Sequence, residues 1–130
     1  MTVMVGFVDK IGDLSLRNED FRRVIFTAPH SQVVVMSLEP LEDIGLETHE
    51  TIDQFFRIER GRGTVLLAGE THPIEAGDAV VVPAGTEHNV INTSATERLQ
   101  LTTIYSPPAH KDGVIHQTKA QALVDDGDHV

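Results

Sequence analysis

GDAVVVPAGTEHNVIN, residues Gly77 to Asn92, is the stretch that decides the fold of this 130-residue chain. Five residues separate Gly77 from Pro83, one separates Pro83 from Gly85, two separate Gly85 from His88, and three separate His88 from Asn92. Gly, Pro and Gly at these offsets arise by chance at roughly 1 in 4,000 starting points, from usages of about 7% and 5%. His88 and Asn92 narrow this further. The physical content is a strand over Ala79 to Val82, a rigid turn around Pro83, and a returning strand whose first residue, His88, points to one fixed face.

Working outward, the apolar residues from Arg22 onward come in short runs rich in Val, Ile, Phe and Thr, separated by turn residues every ten positions or so. That pattern predicts an all-β sandwich or barrel. The expected strands are Val24 to Thr27, Gln32 to Leu38, Phe55 to Arg60, Gly63 to Leu67, Thr71 to Glu75, Ala79 to Val82, His88 to Asn92 and Leu99 to Tyr105. Gly61, Gly69, Gly77 and Gly85 each offer positive φ in a tight connection, and four such turns imply a meander. Short terminal helices are expected over Leu14 to Phe21 and, capped by Thr118, over Lys119 to Val124. Asp125, Asp126, Gly127 and Asp128 carry no apolar pattern and read as a solvated tail. The layout is one domain over residues 1–130, with an N-terminal extension (1–21), a barrel (31–108) and a C-terminal tail (109–130).

Composition narrows the function classes. Ten Lys plus Arg against twenty Asp plus Glu give a formal net charge of −10; such a surface repels phosphate backbones and anionic lipid, so neither nucleic acid nor membrane is an expected partner. With no Cys, thiolate nucleophiles, iron–sulfur clusters and Cys-based zinc sites are excluded, leaving His, carboxylate and amide groups as metal ligands. No apolar stretch is longer than that of Ala79 to Val82, and Met1 to Lys10 lacks the pattern of a signal peptide, so a soluble, cytoplasmic protein is expected. At 40% hydrophobic and 23% charged residues the composition is that of a folded globular domain rather than a disordered chain.

The Gly77 to Asn92 segment matches the second cupin motif at every specified position. The first cupin motif has Gly, five spacers, His, one spacer, His, four spacers, Glu, six spacers and Gly; its offsets lead here to Leu41, Glu47, His49, Gln54 and Gly61. The spacing is intact while three residue types differ: Leu for the leading Gly, Glu for the first His, and Gln for the Glu. The resemblance runs from about Ser31 to Pro108. With the tail SPPAHKDGVIHQTKA, the chain resembles the small single-domain cupins loosely grouped with mannose-6-phosphate isomerase. That resemblance implies a jelly-roll-like antiparallel β-barrel, a bound metal and a homodimer.

The residues themselves support a metal site. On an extended strand Glu47 and His49 project from one face, with Cα atoms about 6.6 Å apart, so one cation can sit between them. Gln54, five positions beyond His49, has the wrong parity for an unbroken strand, so the chain must turn or bulge within Glu50 to Asp53. With His88 the set is two imidazoles, a carboxylate and an amide oxygen, which suits one divalent transition metal such as Zn, Mn, Fe, Ni or Co. Glu47, His49 and His88 alone have the composition of the facial triad of non-haem iron oxygenases. All four ligand types are similar to the zinc shell of phosphomannose isomerases. Gln in place of Glu makes the site one unit more positive, which weakens metal retention and strengthens the Lewis acid. The alternative is a polar pocket that has lost its metal.

Other candidates are weighed against plainer roles. His110 and His116 can approach the pocket mouth, though exposed structural histidines are commoner. His30, His72 and His129 read as surface residues. Phe55 and Phe56 have opposite parity, so one fills the core and the other faces outward. Arg57, Arg60 and Arg62 cluster near a turn, where ion pairs are more common than anion sites. Tyr105 ends a strand and can hold or protonate a substrate, although such a Tyr more often packs and hydrogen-bonds. Val33 to Leu38 and Phe55 to Ile58 look too apolar for one small core, which adds to the expectation of a dimer. The functional expectation is an enzyme acting on a sugar, sugar phosphate or oxo-acid by isomerase or oxygenase-type chemistry. The alternatives are a non-catalytic module that binds or senses a small ligand, and a purely structural subunit.

Overall fold

The computed structural model describes residues 5–125 and 127–130. Met1 to Met4, at the start of the stretch read for a leader, and Asp126, in the tail expected to be solvated, lie outside the described residues. The elements are α1 (Ile11–Arg17), β1 (Arg22–Thr27), β2 (Gln32–Leu38), β3 (Asp53–Arg60), β4 (Arg62–Leu67), β5 (Glu70–Glu75), β6 (Ala79–Val82), β7 (His88–Asn92), β8 (Leu99–Ser106), β9 (Ile115–His116) and α2 (Lys119–Val124). All eight expected strands form. β2, β6 and β7 have the expected bounds, and the other five are longer by one or two residues. β9 escapes a sequence reading because two residues are too few to show a period.

The strands form two antiparallel sheets, ordered β6-β3-β8-β2-β1-β9 and β5-β4-β7. This corrects the expected meander. Only Gly69 lies in a hairpin within one sheet, whereas Gly61, Gly77 and Gly85 lie at corners where the chain changes sheet. A glycine licenses a sharp turn without choosing whether the next strand pairs with the last or leaves it. At Gly61 the corner is tight: φ is +93°, and an added Cβ would stand 2.5 Å from the Arg98 carbonyl oxygen.

Burial alternates along β3, so Gln54, Phe56 and Ile58 point inward. Val34, Met36 and Leu38 of β2 and Leu99 and Leu101 of β8 join them, closing against Val65, Ile74 and Val90 of the smaller sheet in one apolar cluster. β8 is buried on both faces. Its outward Gln100 donates through Nε2 to the carbonyls of Ser15, Leu16 and Asn18, at 3.3, 3.0 and 2.8 Å, satisfying the C-terminal end of α1.

The N-terminal segment therefore covers the outer face of the larger sheet. Val34, Val35, Met36 and Leu38 are all fully buried within a single chain, as is Phe56 to within 1%; the barrel interior takes Val34, Met36, Leu38 and Phe56, and Val35 is buried outside that cluster. α1 starts and ends earlier than expected. Asn18 accepts from the Asp20 amide through Oδ1 and donates to the Asp20 carbonyl through Nδ2, a local turn that stops the helix and frees Phe21 for the core. α2 matches its expected bounds, with Thr118 Oγ1 accepting from the Gln121 amide at 3.2 Å. No helix among the described residues is long and apolar enough to cross a membrane.

Candidate metal centre

Three separate segments bring side chains into the open end of the barrel. His88 begins β7. Alongside it runs the irregular segment 42–49, bridged to β7 at Asp43 with Ile91 and at Glu47 with His88. Four steps from Asp43 to Glu47 oppose three from Ile91 to His88, so one extra residue is bulged out. Gly45 takes that place, with φ +118° and its amide donating to Asn89 Oδ1 at 2.9 Å. Glu47 and His49 thus lie on an edge segment rather than on the regular strand that their spacing suggests, yet their side chains still meet. The chain bends at Glu50 and Thr51 before β3, as the parity of Gln54 requires. Leu41, in the motif's leading glycine position, adopts φ +64° and keeps the turn that glycine makes elsewhere.

His49 Nε2 lies 3.1 Å from Glu47 Oε2, and His88 Nε2 lies 3.1 Å from Gln54 Oε1. The two imidazole centroids are 5.6 Å apart. Glu47, His49 and His88 each offer a ligand atom within 4.8 Å of the others. His88 Nδ1 is held at 2.9 Å by the Thr86 carbonyl, which makes Nδ1 the protonated nitrogen and leaves the Nε2 lone pair facing inward. Gln54 spends its Nε2 donor on Thr103 Oγ1 at 3.0 Å, so its carbonyl oxygen also faces inward. Two acceptors therefore confront each other in a buried place, an arrangement that a cation between them satisfies. The donor set fits a divalent transition metal on this ground.

Burial works against the charge of the Glu47 carboxylate, but the hydrogen bond with His49 and the positive surroundings of His49, Arg22 and His88 outweigh it and hold the carboxyl below its ordinary value. The Glu47 carboxylate is thus anionic at neutral pH. Its side chain is 31% exposed and that of His49 is 17% exposed, against 3% for His88 and 2% for Gln54, so the site opens on the Glu47 side. There it borders a cavity of about 180 Å³ roofed by α2.

The tail departs most from expectation. His110 and His116 are buried, not exposed, and Asp128 is buried within the stretch read as solvated. His110 Nδ1 lies 2.5 Å from Asp128 Oδ1, and its Nε2 lies 3.3 Å from the Tyr105 hydroxyl. His116 Nε2 lies 2.9 Å from Asp125 Oδ2. Arg22 reaches His116 Nδ1 at 3.4 Å and stands 3.9 Å from Asp128 Oδ2. Desolvation, helped by the charge of Arg22, lowers His110 to about 4 despite Asp128, and burial raises Tyr105 to about 12. At neutral pH both are uncharged, with the Tyr105 O–H donating to His110 Nε2.

His110, Asp128 and His129, and likewise His116, Asp125 and Asp128, have metal-compatible spacing. The permanent charge of Arg22 beside Asp128 and His116 makes both a poor place for a second cation. His30, His72 and His129 are exposed as expected. Phe56 fills the core while Phe55 is half-buried, and Arg57 pairs with Glu59 at 3.4 Å. Arg62 borders a hollow of about 410 Å³ along β4 and β5 that includes none of the candidate ligands.

Arg22 was within reach of a sequence reading, since it shares a face with Val24 two positions on. Asp128 carries no local signal at all.

A two-sheet antiparallel barrel with His and carboxylate side chains gathered inside it from separate segments defines a class, the cupins. The chain belongs to that family: residues 34–105 match the cupin domain. It is 46% identical over 123 residues to the uncharacterized protein YrkC of Bacillus subtilis, covering 90% of this chain and 66% of that protein, just under two thirds of its length. It is 43% identical over 120 residues to the uncharacterized protein L612 of Acanthamoeba polyphaga mimivirus, covering 89% and 74%. Among solved structures, BH2720 of Bacillus halodurans superposes with a TM-score of 0.88 at 44% identity, covering 90% of this chain and 92% of that one. Cupins commonly bind a metal, and Glu47, His49 and His88 form the corresponding candidate group here.

Proposed function

We propose that this protein is a metal-dependent cupin enzyme that acts on a small polar metabolite of the sugar, sugar phosphate or oxo-acid class, with Glu47, His49, Gln54 and His88 as the ligands. The observation that carries this reading is the pair of inward acceptors, His88 Nε2 and Gln54 Oε1, 3.1 Å apart beside the Glu47 and His49 pair. A divalent transition metal held there supplies Lewis-acid polarisation of a substrate oxygen, or activation of dioxygen. The chain's own groups do the rest. His88 is oriented by Thr86 and Gln54 by Thr103, so two ligands are set before any ion arrives. Tyr105, packed edge-on to His49 with centroids 5.9 Å apart, donates its hydroxyl proton to His110 and has the Arg22 guanidinium beside its oxygen, which fixes its ring against His49. Phe56, whose ring centroid is 6.3 Å from that of His88, lines the inner side with apolar surface and limits water there.

The test is metal analysis of the purified chain after growth in metal-replete medium, with His49→Ala and His88→Ala variants alongside. Near-stoichiometric transition metal in the parent and its loss in both variants is the expected result. Less than about a tenth of an equivalent, with no reloading, overturns the reading. Iron with oxygen uptake on oxo-acids then selects an oxygenase; zinc or manganese without oxygen use selects an isomerase.

A further inference from the structure

The cavity beside Glu47 contains a cation that the metal centre does not use. Arg22 sits on the inner face of β1, its side chain only 6% exposed, and lines this cavity together with Glu47. A guanidinium carries five N–H donors. Here one engages His116 Nδ1 at 3.4 Å, the Tyr105 hydroxyl is a second neighbour, and Asp128 at 3.9 Å gives charge compensation without a hydrogen bond. Nε is buried with no partner among the described residues. Leaving a charged donor buried and unpaired is costly, and such a group binds well to anything that completes it.

The surroundings define what completes it. Lys119, held by Asp43, adds a second cation at the cavity wall, and Phe21, Ile44 and Leu123 add apolar surface. Asp125, on the same wall, is engaged by His116. Glu47 is the remaining carboxylate, and it is spoken for if it ligates a metal. The space of about 180 Å³ equals about six waters at ~30 Å³ each, enough for an organic acid of a few carbons.

We infer that Arg22 anchors the carboxylate of a small organic acid, of the 2-oxo-acid class, which enters the α2-roofed cavity and turns its other oxygen toward the Glu47, His49 and His88 cluster. Arg22 lines the cavity with a planar, permanently charged guanidinium, the group that best matches a carboxylate. This inference rests on the metal reading for the second oxygen but not for the carboxylate, which selects the acid over any neutral sugar.

Calorimetric titration of the full chain, metal-loaded and metal-free, with pyruvate and with its neutral isostere pyruvamide tests it. The expected result in both forms is at least tenfold tighter binding of pyruvate. Arg22→Met loses at least tenfold in pyruvate affinity while its metal stoichiometry and its affinity for pyruvamide are unchanged, and Arg22→Lys falls between. Equal affinity for the two compounds in the metal-free parent overturns the inference. So does an Arg22→Met variant that binds pyruvate like the parent, or a parent that binds no pyruvate at tens of millimolar. Should Arg22→Met fail to fold, the metal-free parent comparison decides alone. A parent that holds no metal yet prefers pyruvate sinks the metal reading and leaves the Arg22 anchor standing; a metal-loaded parent without that preference does the reverse.

Discussion

His110 shows how one buried side chain couples the tail to pH. Unfolded, its imidazole protonates near the ordinary value of 6.5; folded, burial and Arg22 lower it to about 4. Between those values the unfolded chain binds more protons, so the contribution of His110 is complete above about pH 6.5 and lost as pH falls toward 4. At about 1.4 kcal/mol per unit the loss is on the order of 3 kcal/mol. Urea midpoints measured from pH 7 to 4 should fall steeply in the parent and more shallowly in His110→Gln; parallel slopes would refute the assignment. Leu41 is a second single-residue test. It is 67% exposed and holds φ +64°, so Leu41→Gly relieves a left-handed strain of about 1 to 2 kcal/mol and loses little packing. The melting temperature is expected to stay level or rise, and a fall of several degrees would count against strain at this turn. Both residues mark a limit of sequence reading. Motif spacing points to Leu41 but cannot show that a leucine accepts a glycine's conformation, and nothing adjacent to His110 foretells its burial.

At the scale of elements, two glycines separate close backbone approach from conformational freedom. Gly63 on β4 pairs with Asn92 on β7, and a Cβ there would stand 2.2 Å from the Ile91 carbonyl oxygen. Gly69, in the β4 to β5 hairpin, also has positive φ but nothing within 4 Å of an added Cβ. Gly63→Ala should therefore cost more than about 2 kcal/mol, because backbone must move, whereas Gly69→Ala should cost only about 1 kcal/mol of conformational strain. Chemical denaturation of the two variants side by side gives the comparison, and equal losses would mean that conformation rather than close approach governs both sites. Asn92 explains why the end of β7 is so well defined: buried, it donates to the carbonyls of Leu38, Glu39 and Glu97 and accepts from the Ser94 amide. The motif pointed to Asn92 as a position; its work as a bracket between three segments became visible only with the fold.

For the whole molecule, the tail and the candidate metal site are the two long-range ties. Asp128 is buried between His110 and Arg22, so Asp128→Ala leaves an uncompensated guanidinium inside and should cost about 3 to 5 kcal/mol. A thermal melt within a degree or two of the parent would show the tail to be dispensable. Metal binding should add stability by linkage, about 2.7 kcal/mol when free metal is a hundredfold above the dissociation constant. A chelator is therefore expected to lower the melting temperature of the metal-loaded parent by several degrees and to leave His88→Ala unmoved. The all-β class, the strand positions, the Thr118 cap and the grouping of Glu47, His49, Gln54 and His88 as candidate ligands were legible in the chain itself, because each rests on offsets within one strand, turn or hairpin. The division of strands between two sheets, the cover supplied by α1 and the burial of His110, His116 and Asp128 were decided by tertiary structure alone. The Arg22 to His116 contact joins positions 94 residues apart. Whether a polar side chain meets water or a partner depends on which distant segment folds over it, and no local spacing carries that information.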